Sequence, residues 1–340
     1  MILVEAQFAK NPKSKTYKTI KSINAKTKLC LTGTPMENHY GELWALFNII
    51  SPGLLGTEKS FKKYYRTPIE KHANAEIQQH LSRRLAPFML RRNKDEVVKE
   101  LPKKTQIIRK VELTQKQRDL YESVRLTMEK KIRKALQEKG LAQSHIVILD
   151  ALLKLRQICC HTSLLKTKAN SQNHESAKLE LLADMLESLQ QEGRKVLIFS
   201  SFTSMLKIIE TILLKKDISY VKLTGSTKDR QTPINTFQNG NASIFLISLK
   251  AGGTGLNLTA ADTVIHYDPW WNPAAENQAT DRAHRIGQQK PVFVYKLVSQ
   301  DTVEEKILDM QQRKQALLKN IFSDAKAMKF TDEDVKYLLS

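Results

Sequence analysis

The chain is poor in cysteine and has no long apolar run. Three of its 340 residues are cysteines, and the neighbours Cys159 and Cys160 are badly placed to bridge each other, so a disulfide framework is excluded. There is no C-x-x-C pair, and Cys159, Cys160 and His161 stand too close together for the spaced ligand pairs of a zinc site. We predict buried thiols at a helix end and assign no metal. No apolar run approaches the roughly 18 residues of a membrane-spanning helix, so we expect a soluble, unexported protein without a membrane partner.

Acidic residues are scarce relative to basic ones. Asp and Glu total 35 against 55 Lys and Arg, which gives a formal net charge of +20. Such an excess attracts polyanions, so nucleic acid is the first partner to consider. A generally basic protein without a nucleic-acid function stays open on charge alone, because net charge reports non-specific attraction rather than activity.

The second half of the chain alternates helical and strand-like patterns. Helix-compatible runs such as 179–193 and 203–216 alternate with short apolar runs, which are KVLIFSSF, ISYVKLTG, SIFLIS, TVIHYD and PVFVYKLV. This order predicts an α/β fold built on a parallel sheet with helices on both faces. Before it, the polar stretch 166–177 predicts a flexible loop and a domain boundary. After it, residues 302–322 predict a long amphipathic helix, followed by a charged tail.

The first half predicts short strands, a helical protrusion and a long helical segment. Apolar runs within 1–8 and 28–35 predict strands, and 37–53 predict a helix that stops at Pro52 and Gly53. Further along, 57–90 predict a small helical protrusion, 91–104 a charged linker, and 113–160 a long helical segment that Gly140 divides in two. A length of 340 residues fits about two domains of roughly 100–200 residues each.

The stretch 243–297 concentrates the residues with functional chemistry. In a parallel sheet the loops that follow the strands meet at the carboxyl edge, where ligands bind. One such loop, KAGGTGLNL, holds Gly252, Gly253 and Gly255, which let backbone amides approach a phosphate closely. It is not a dinucleotide fingerprint, because Leu258 stands where the third glycine would fall. Taken alone, such a turn is structural more often than functional.

Two arginines and two tryptophans follow that loop. Arg282 and Arg285 are spaced i, i+3, and we expect them on one face of a helix over ENQATDRAHRIG. Two guanidiniums fixed in this way can stabilise charge on a transferring phosphoryl group. The alternative is a salt-bridged helix face that involves Asp281. The segment DPWWNPA places Trp270 and Trp271 where they can stack on bases or pack inside the domain, and we expect at least one in the core.

Together these segments resemble the Swi/Snf family of DNA-dependent ATPases, helicase-like motors of superfamily two. The resemblance covers nearly the whole chain and rests on eight segments in order, which are VEAQ, LTGTPMEN, PFMLRRNKDEVVKELPKK, LLKLRQICCH, KVLIFSSF, KLTGS, SLKAGGTGLNLTAADTVIHYDPWWNP and QATDRAHRIGQ. It implies two RecA-like lobes with ATP and Mg²⁺ in the cleft between them and double-stranded DNA tracked across both. It assigns 1–104 to the end of the first lobe with a helical protrusion, 105–165 to a helical second protrusion, 166–177 to a flexible loop, 175–300 to the second lobe, and 301–340 to a brace helix and tail.

The resemblance also implies roles for individual residues, each matched to a family motif. Arg282 and Arg285 resemble arginine fingers for the γ-phosphate, and Glu5 resembles the carboxylate that orients the attacking water. The residues implied to bind the nucleotide or couple it to lobe closure are Gln278, Thr32, Gly33, Thr34 and Gly255. Those implied to contact DNA are Ser200, Ser201, Thr224, Gly225, Gly253 and Thr254.

The sequence departs from the family pattern in two places. Val4 stands where the family has an Asp that helps hold Mg²⁺, and an aliphatic side chain cannot replace an oxygen near a hard cation. No G-x-x-x-x-G-K-[ST] phosphate loop occurs in the 340 residues. We therefore expect the C-terminal part of a DNA translocase whose missing partner is the N-terminal RecA-like lobe. Alone, this chain is expected to hydrolyse no ATP, to hold neither ATP nor Mg²⁺ stably, and to leave Arg282 and Arg285 pointing into water.

Two other functions stay open. One is a non-catalytic DNA-binding module, whose duplex binding would be salt-sensitive and indifferent to nucleotide. The other is a protein-interaction fragment, which would bind no duplex at low salt. Short inserts and the absence of a reader extension resemble bacterial members, so we expect a DNA-associated protein of the bacterial cytoplasm rather than the nucleus. The substrate that is remodelled and the oligomeric state stay open.

Overall fold

The structure is a computed structural model of the chain. It describes all residues except 34, 37–38, 91, 93, 95–97, 99, 166–174, 253–254 and 320–340, and it leaves undescribed the side chains of 139, 141–142 and 313–319. Most of the predicted flexible loop, the predicted charged tail, Thr34, Gly253 and Thr254 thus lie outside the described residues. The chain divides into two compact units, whose described parts are 1–92 with 312–319, and 94–311.

The described strands and helices follow the predicted order in most places. The strands are β1 (Ile2–Val4), β2 (Leu29–Leu31), β3 (Lys104–Val111), β4 (Val196–Ser200), β5 (Tyr220–Leu223), β6 (Ile244–Ser248), β7 (Thr263–His266) and β8 (Val292–Ser299). The α-helices are α1 (Lys15–Ser22), α2 (Tyr40–Ile50), α3 (Glu58–Phe61), α4 (Thr67–His72), α5 (Ala75–Leu85), α6 (Gln115–Cys160), α7 (Ala177–Gln191), α8 (Thr203–Lys215), α9 (Gln231–Asn239), α10 (Leu249–Gly252), α11 (Pro273–Thr280) and α12 (Val303–Lys319).

The first unit packs short helices around α2. This helix buries most of its side chains, among them Trp44 and Phe47, against Tyr17 of α1 and Leu81 of α5. It ends close to Pro52 and Gly53, and Gly53 has a φ of 88°, a conformation that glycine adopts without steric cost. Strands β1 and β2 pair in parallel. The predicted strands and the predicted helices of this half are confirmed, and their assignment to a protrusion stays a prediction.

The second unit is built on a parallel sheet of six strands. Their order across the sheet is β3-β8-β7-β4-β6-β5, and every described pairing is parallel. Because successive side chains of a strand point to opposite faces, both faces of a buried strand must be apolar. Val196 and Ile198 of β4 pack with α7 and α8 on one face, whereas Leu197 and Phe199 pack with Phe237 of α9 on the other. The predicted α/β fold, a parallel sheet with helices on both faces, is confirmed.

Helix α6 confirms the predicted break at Gly140, but it covers less of the predicted helical segment 105–165 than expected. Gly140 has φ 66° and ψ 173°, which interrupts the helical conformation as the sequence predicts. At the carboxyl end of α6 Cys159 and Cys160 are fully buried, and burial raises the pKa of the Cys159 thiol to about 12. Helical structure does not, however, extend over all of 105–165. Residues 104–111 form β3, which pairs with β8 from Lys104 to Val111. The strand was hard to recognise in the sequence because it carries many polar side chains. An edge strand has no partner strand on one flank and therefore tolerates such side chains.

A second correction concerns the segment that carries the arginines. We expected one helix over ENQATDRAHRIG, but α11 ends at Thr280 and the residues 281–287 form turns. The backbone amides of Arg282 and Ala283 donate to carbonyls three residues earlier, which tightens the chain out of the α-helical path. Among the described residues, no helix is long and apolar enough to cross a membrane.

A candidate nucleotide and nucleic-acid site at the carboxyl edge of the sheet

The carboxyl edge of the sheet gathers most of the predicted site residues of the second unit. Ser200 ends β4 and lies beside Ser248, which ends β6. Leu223, the last residue of β5, lies beside Ile247 of β6, so Thr224 and Gly225 follow at the same edge. The glycine loop continues from β6 through α10. Parallel pairing therefore brings together segments that lie far apart in the sequence, as expected for a ligand-binding edge.

Asp268 organises the centre of this edge. Its Oδ1 accepts a hydrogen bond from Ser200 Oγ at 2.6 Å and one from the amide of Ser201 at 3.1 Å. The hydroxyl of Ser201 donates to Oδ2 of the same carboxylate. Ser200 is buried, and its hydroxyl is engaged inside the protein. The Ser200 hydroxyl therefore holds the loop through Asp268, and the predicted DNA contact of Ser200 stays a prediction. Ser201 is half-buried.

Arg156 of α6 completes the Asp268 cluster. Its Nη2 lies 2.9 Å from Oδ2 of Asp268, and both side chains are almost entirely buried. The guanidinium lies 5.1 Å from the ring centroid of Phe202, 5.0 Å from that of Trp270 and 5.6 Å from that of Trp271. Such stacking stabilises a cation that has left water. Both tryptophans are half-buried, and Trp270 packs against the hydrophobic core, as expected for one of the pair, while both lie against the Arg156 cation.

Sequence reasoning missed Arg156 although a signal was present. Its neighbours Leu152, Leu155 and Ile158 are apolar residues at helical spacing, and all are buried. A cation among buried positions of a helix requires a buried anion as partner. The sequence could not say which anion, because Asp268 lies 112 residues away along the chain.

The glycine loop is held by two arginines. The carbonyl of Ala251 accepts from Arg230 Nη2 at 2.8 Å, and the carbonyl of Gly252 accepts from Arg282 Nε at 3.1 Å. Gly252 itself packs so closely that an added Cβ would lie 2.6 Å from Cε1 of Phe199. Gly255 is exposed and has a φ of 47°. The loop start is therefore fixed from both sides, while Gly253 and Thr254, its predicted DNA contacts, lie outside the described residues.

The two arginines have different surroundings. Arg282 is 7% exposed and is bound to the glycine loop, so the expectation that it points into water is wrong. Arg285 is exposed, and its Nη1 has a long contact of 3.4 Å to the carbonyl of Leu256. Gln278 lies half-buried on α11. Of the two guanidiniums, that of Arg285 is thus the one that a phosphate can reach without rearrangement.

A buried histidine lies beneath this edge. His266 Nε2 and Thr280 Oγ1 are 2.9 Å apart, and the imidazole stacks on Phe199 with ring centroids 5.5 Å apart. Burial lowers the pKa of His266 to about 4, because the charged form cannot be solvated there. His266 is therefore a neutral link between β7 and α11.

In the first unit, Gln7 links two of the predicted motifs. Its Nε2 donates to Oε2 of Glu5 at 2.6 Å, and its Oε1 accepts from the hydroxyl of Thr32 at 2.6 Å. Glu5 has φ 53° and ψ 48°, a left-handed conformation that is uncommon outside glycine and that clusters at functional sites. Gly33 is exposed, with no heavy atom within 4 Å of an added Cβ.

The remaining predicted contacts, Thr224 and Gly225, lie on an accessible turn. The Thr224 hydroxyl lies 2.9 Å from that of Ser226, and the Thr224 amide donates to Thr227 Oγ1 at 2.9 Å. Gly225 is exposed and has free space around its Cα. Among the residues that the structure describes, no cluster of three or more His, Cys, Asp or Glu side chains could hold a metal ion.

Comparison with known proteins places the chain in a family. The model of the SNF2-related domain matches residues 1–164, and that of the helicase conserved C-terminal domain matches 177–287. An uncharacterized ATP-dependent helicase of Mycoplasma genitalium is 38% identical over 94% of this chain and 30% of its own. A putative ATP-dependent helicase/translocase of Bacillus subtilis is 38% identical over 93% of this chain and 34% of its own. The chain thus spans about a third of the length of these curated relatives.

Solved structures give the same assignment. The Sulfolobus solfataricus SWI2/SNF2 ATPase core in complex with dsDNA is 35% identical, with a TM-score of 0.56 over 99% of this chain and 72% of that chain. The C-terminal part of the Fun30 ATPase domain, at 24% identity and a TM-score of 0.51, covers 71% of this chain and supports the fold alone. The motif order, the parallel sheet and these similarities agree: the chain belongs to the SWI2/SNF2 family of helicase-like ATPases.

Proposed function

We propose that this chain is the second motor lobe, with the end of the first, of an ATP-driven translocase on double-stranded DNA. The observation that carries the proposal is the hydrogen bond from Arg282 Nε to the carbonyl of Gly252. It joins the turn with the predicted γ-phosphate contacts to the loop with the predicted DNA contacts. A change at either ligand can reach the other through one bond.

The candidate site residues of this chain fit an ATP phosphate better than they fit a resident metal. Arg285 offers an exposed guanidinium, which suits a phosphate oxygen. For Mg²⁺ the first unit offers Glu5, whose carboxylate already accepts from Gln7, and the preceding Val4 has no oxygen to give. In the complete motor, Mg²⁺ would neutralise charge on the transferring phosphate. Arg285 is the exposed guanidinium of the second unit that would face that charge.

We further propose that the 340 residues alone do not hydrolyse ATP. They contain no G-x-x-x-x-G-K-[ST] segment, and Val4 replaces a magnesium-holding carboxylate of the family. Without a cradle for the β- and γ-phosphates, positioning and charge stabilisation both fail, and these provide almost all of the catalysis in phosphoryl transfer.

We propose that the chain contacts double-stranded DNA through the phosphate backbone of the duplex. A net charge of +20 supports attraction to phosphates, and the solved Sulfolobus solfataricus relative is in complex with dsDNA. The exposed turn at Gly225 and the start of the glycine loop lie at the same edge of the sheet. We expect weak sequence preference and a strong dependence on salt.

The test combines duplex binding with ATP hydrolysis for the 340-residue chain and its Arg285→Ala variant. Fluorescence anisotropy at several KCl concentrations should show binding of unrelated duplexes with similar affinity, and phosphate release should not rise above buffer with DNA present. DNA-stimulated hydrolysis that Arg285→Ala abolishes would overturn the proposed inactivity. Absence of duplex binding at low salt would overturn the DNA role.

A non-catalytic DNA-binding module is the second candidate. The observation that favours it is the combination of a net charge of +20 with the absence of a G-x-x-x-x-G-K-[ST] segment from the 340 residues. It differs from the motor lobe in one measurable respect: its duplex affinity is the same with and without ATP analogues, also when a first lobe is supplied in trans.

A further inference from the structure

The turn that carries both arginines is fastened at two points to the chain segment that opens the second unit. Lys94 Nζ lies 2.8 Å from Oδ1 of Asp281 and donates to the carbonyl of His284 at 3.1 Å. The His284 ring lies 2.8 Å from the carbonyl of Pro102 through Nε2. These contacts enclose Arg282 between Asp281 and His284. We call the set of Lys94, Asp281, His284 and Pro102 the turn clamp.

The two contacts of Lys94 differ in strength. The Lys94 and Asp281 side chains are 41% and 35% exposed, so their ion pair by itself contributes little. The same ammonium also donates to a main-chain carbonyl within the turn, which fixes the backbone rather than another long side chain. The backbone of 281–284 is therefore held at both a side chain and a carbonyl by one cation.

The contact of His284 is more deeply buried. The residue is 6% exposed, and the carbonyl of Pro102 can only accept, so Nε2 carries the proton. Within the described residues, Nδ1 is buried and has no hydrogen-bond partner. Burying that nitrogen is unfavourable, and the bond to Pro102 is what holds the ring in place.

Two clamp residues, Lys94 and Pro102, lie in the segment that leads from the start of the second unit to β3. Lys94 is the first residue of the second compact unit. Pro102 precedes β3, the edge strand of the sheet, by two residues. The clamp thus connects the turn to the start of the second unit and to the approach to β3.

We propose that Lys94 and His284 are positioning residues that set how the turn 281–287 presents Arg282 and Arg285. They contact no predicted ligand themselves. Their role in a motor rests on the proposed function of the arginines, whereas the clamp can be tested without nucleotide or DNA.

The experiment is hydrogen–deuterium exchange on the 340-residue chain, combined with phenylglyoxal labelling of arginines read by mass spectrometry. For Lys94→Met, amide exchange in the peptide 281–288 is expected to rise about tenfold, as follows from loss of one charge-assisted hydrogen bond. The rate of Arg282 labelling should rise with it. Lys94→Arg can pair with Asp281 and still donate to a carbonyl. In this variant, amide exchange in 281–288 and the rate of Arg282 labelling should equal those of the unaltered chain.

The matched control is Lys110→Met. Lys110 lies on β3 and pairs with Glu305 at 2.6 Å, so the variant removes a comparable surface ion pair without touching the turn. It should leave the peptide 281–288 unchanged. Unchanged exchange there in Lys94→Met, or a rise of the same size in both variants, would overturn the proposal.

A second pair of variants keeps the test decisive if Lys94→Met fails to fold. His284→Ala should loosen the same peptide, and His284→Gln, whose amide can donate to Pro102, should loosen it less. Equal effects of the two would overturn a role for the Pro102 contact. Because no ATP or DNA is added, failure of the proposed function leaves these outcomes unaffected, and the reverse holds as well.

Discussion

Arg156 and Asp268 form an ion pair whose two side chains are removed from solvent, with Nη2 and Oδ2 2.9 Å apart. The pair connects the end of α6 to the carboxyl edge of the sheet, where Asp268 also binds Ser200 and Ser201. A buried pair is weak evidence for stability, but breaking one leaves a buried charge alone. The ion pair therefore links the loops that follow β4 and β7 to α6.

Arg156→Met is expected to lower the free energy of unfolding by roughly 3–5 kcal/mol, because Asp268 then remains buried without its cation. Urea denaturation followed by circular dichroism measures this loss. The control is Lys154→Met on the same helix, whose exposed pair with Asp150 should contribute no more than about 1 kcal/mol. A similar small loss in both variants would contradict the assigned importance of the Arg156 cluster.

Gly252→Ala is expected to destabilise the chain by about 1–3 kcal/mol, because the new Cβ would overlap the ring of Phe199, closer than van der Waals contact allows. The approach of 2.6 Å is to a ring atom in the core. Urea denaturation provides the measurement here as well. Gly225→Ala, where the added Cβ meets nothing within 4 Å, is the matched control and should stay within about 0.5 kcal/mol.

The basic segment 10–28 should contribute to the salt dependence of duplex binding. It holds seven lysines and no acidic residue, and Lys18 and Lys21 lie on α1 at the border of a groove of about 560 Å³. If both contact phosphates, Lys18→Glu/Lys21→Glu should reduce the slope of log K against log[salt] by about 2. Fluorescence anisotropy over a KCl series measures it.

The control for that experiment is Lys207→Glu/Lys215→Glu on α8, which changes the net charge equally at another exposed surface. An equal reduction of the slope in both double variants would show that net charge alone governs binding, against a contact at α1.

His266 makes stability depend on pH. Its folded pKa is lowered to about 4 from 6.5, so the unfolded chain binds the proton more readily. The contribution is fully present above pH 6.5 and is lost as the pH falls toward 4. Between pH 7.5 and pH 5 it should amount to about 2 kcal/mol of unfolding free energy. His266→Gln, which keeps a polar contact to Thr280 without titrating, should show a shallower decline, and an unchanged decline would contradict this assignment.

Much of the architecture could be predicted because it depends on local patterns. Runs such as Ile244–Ser248 are apolar at every position, which is typical of a strand buried on both faces, and they alternate with amphipathic helices. The break at Gly140 and the end of α2 near Gly53 followed from the conformational freedom of glycine. Strand β3 was missed because an edge strand rich in polar residues carries a weak pattern.

The candidate site was predictable in its membership and less so in its contacts. Motif order brought Arg282, Arg285 and the glycine loop to attention, yet their spacing suggested a helix where the chain forms turns. Burial of Arg282 depends on the carbonyl of Gly252, 30 residues earlier, and no local pattern reveals that acceptor.

The sequence by itself determined the fold class and the family, because each depends on short patterns in a fixed order along the chain. Only the tertiary structure decided which charges are paired. Arg156 meets Asp268, and Lys94 reaches Asp281 and His284, across 112, 187 and 190 residues respectively. Burial strengthens such contacts and makes an unpaired charge costly, so the fold, rather than the spacing of residues, selects each partner.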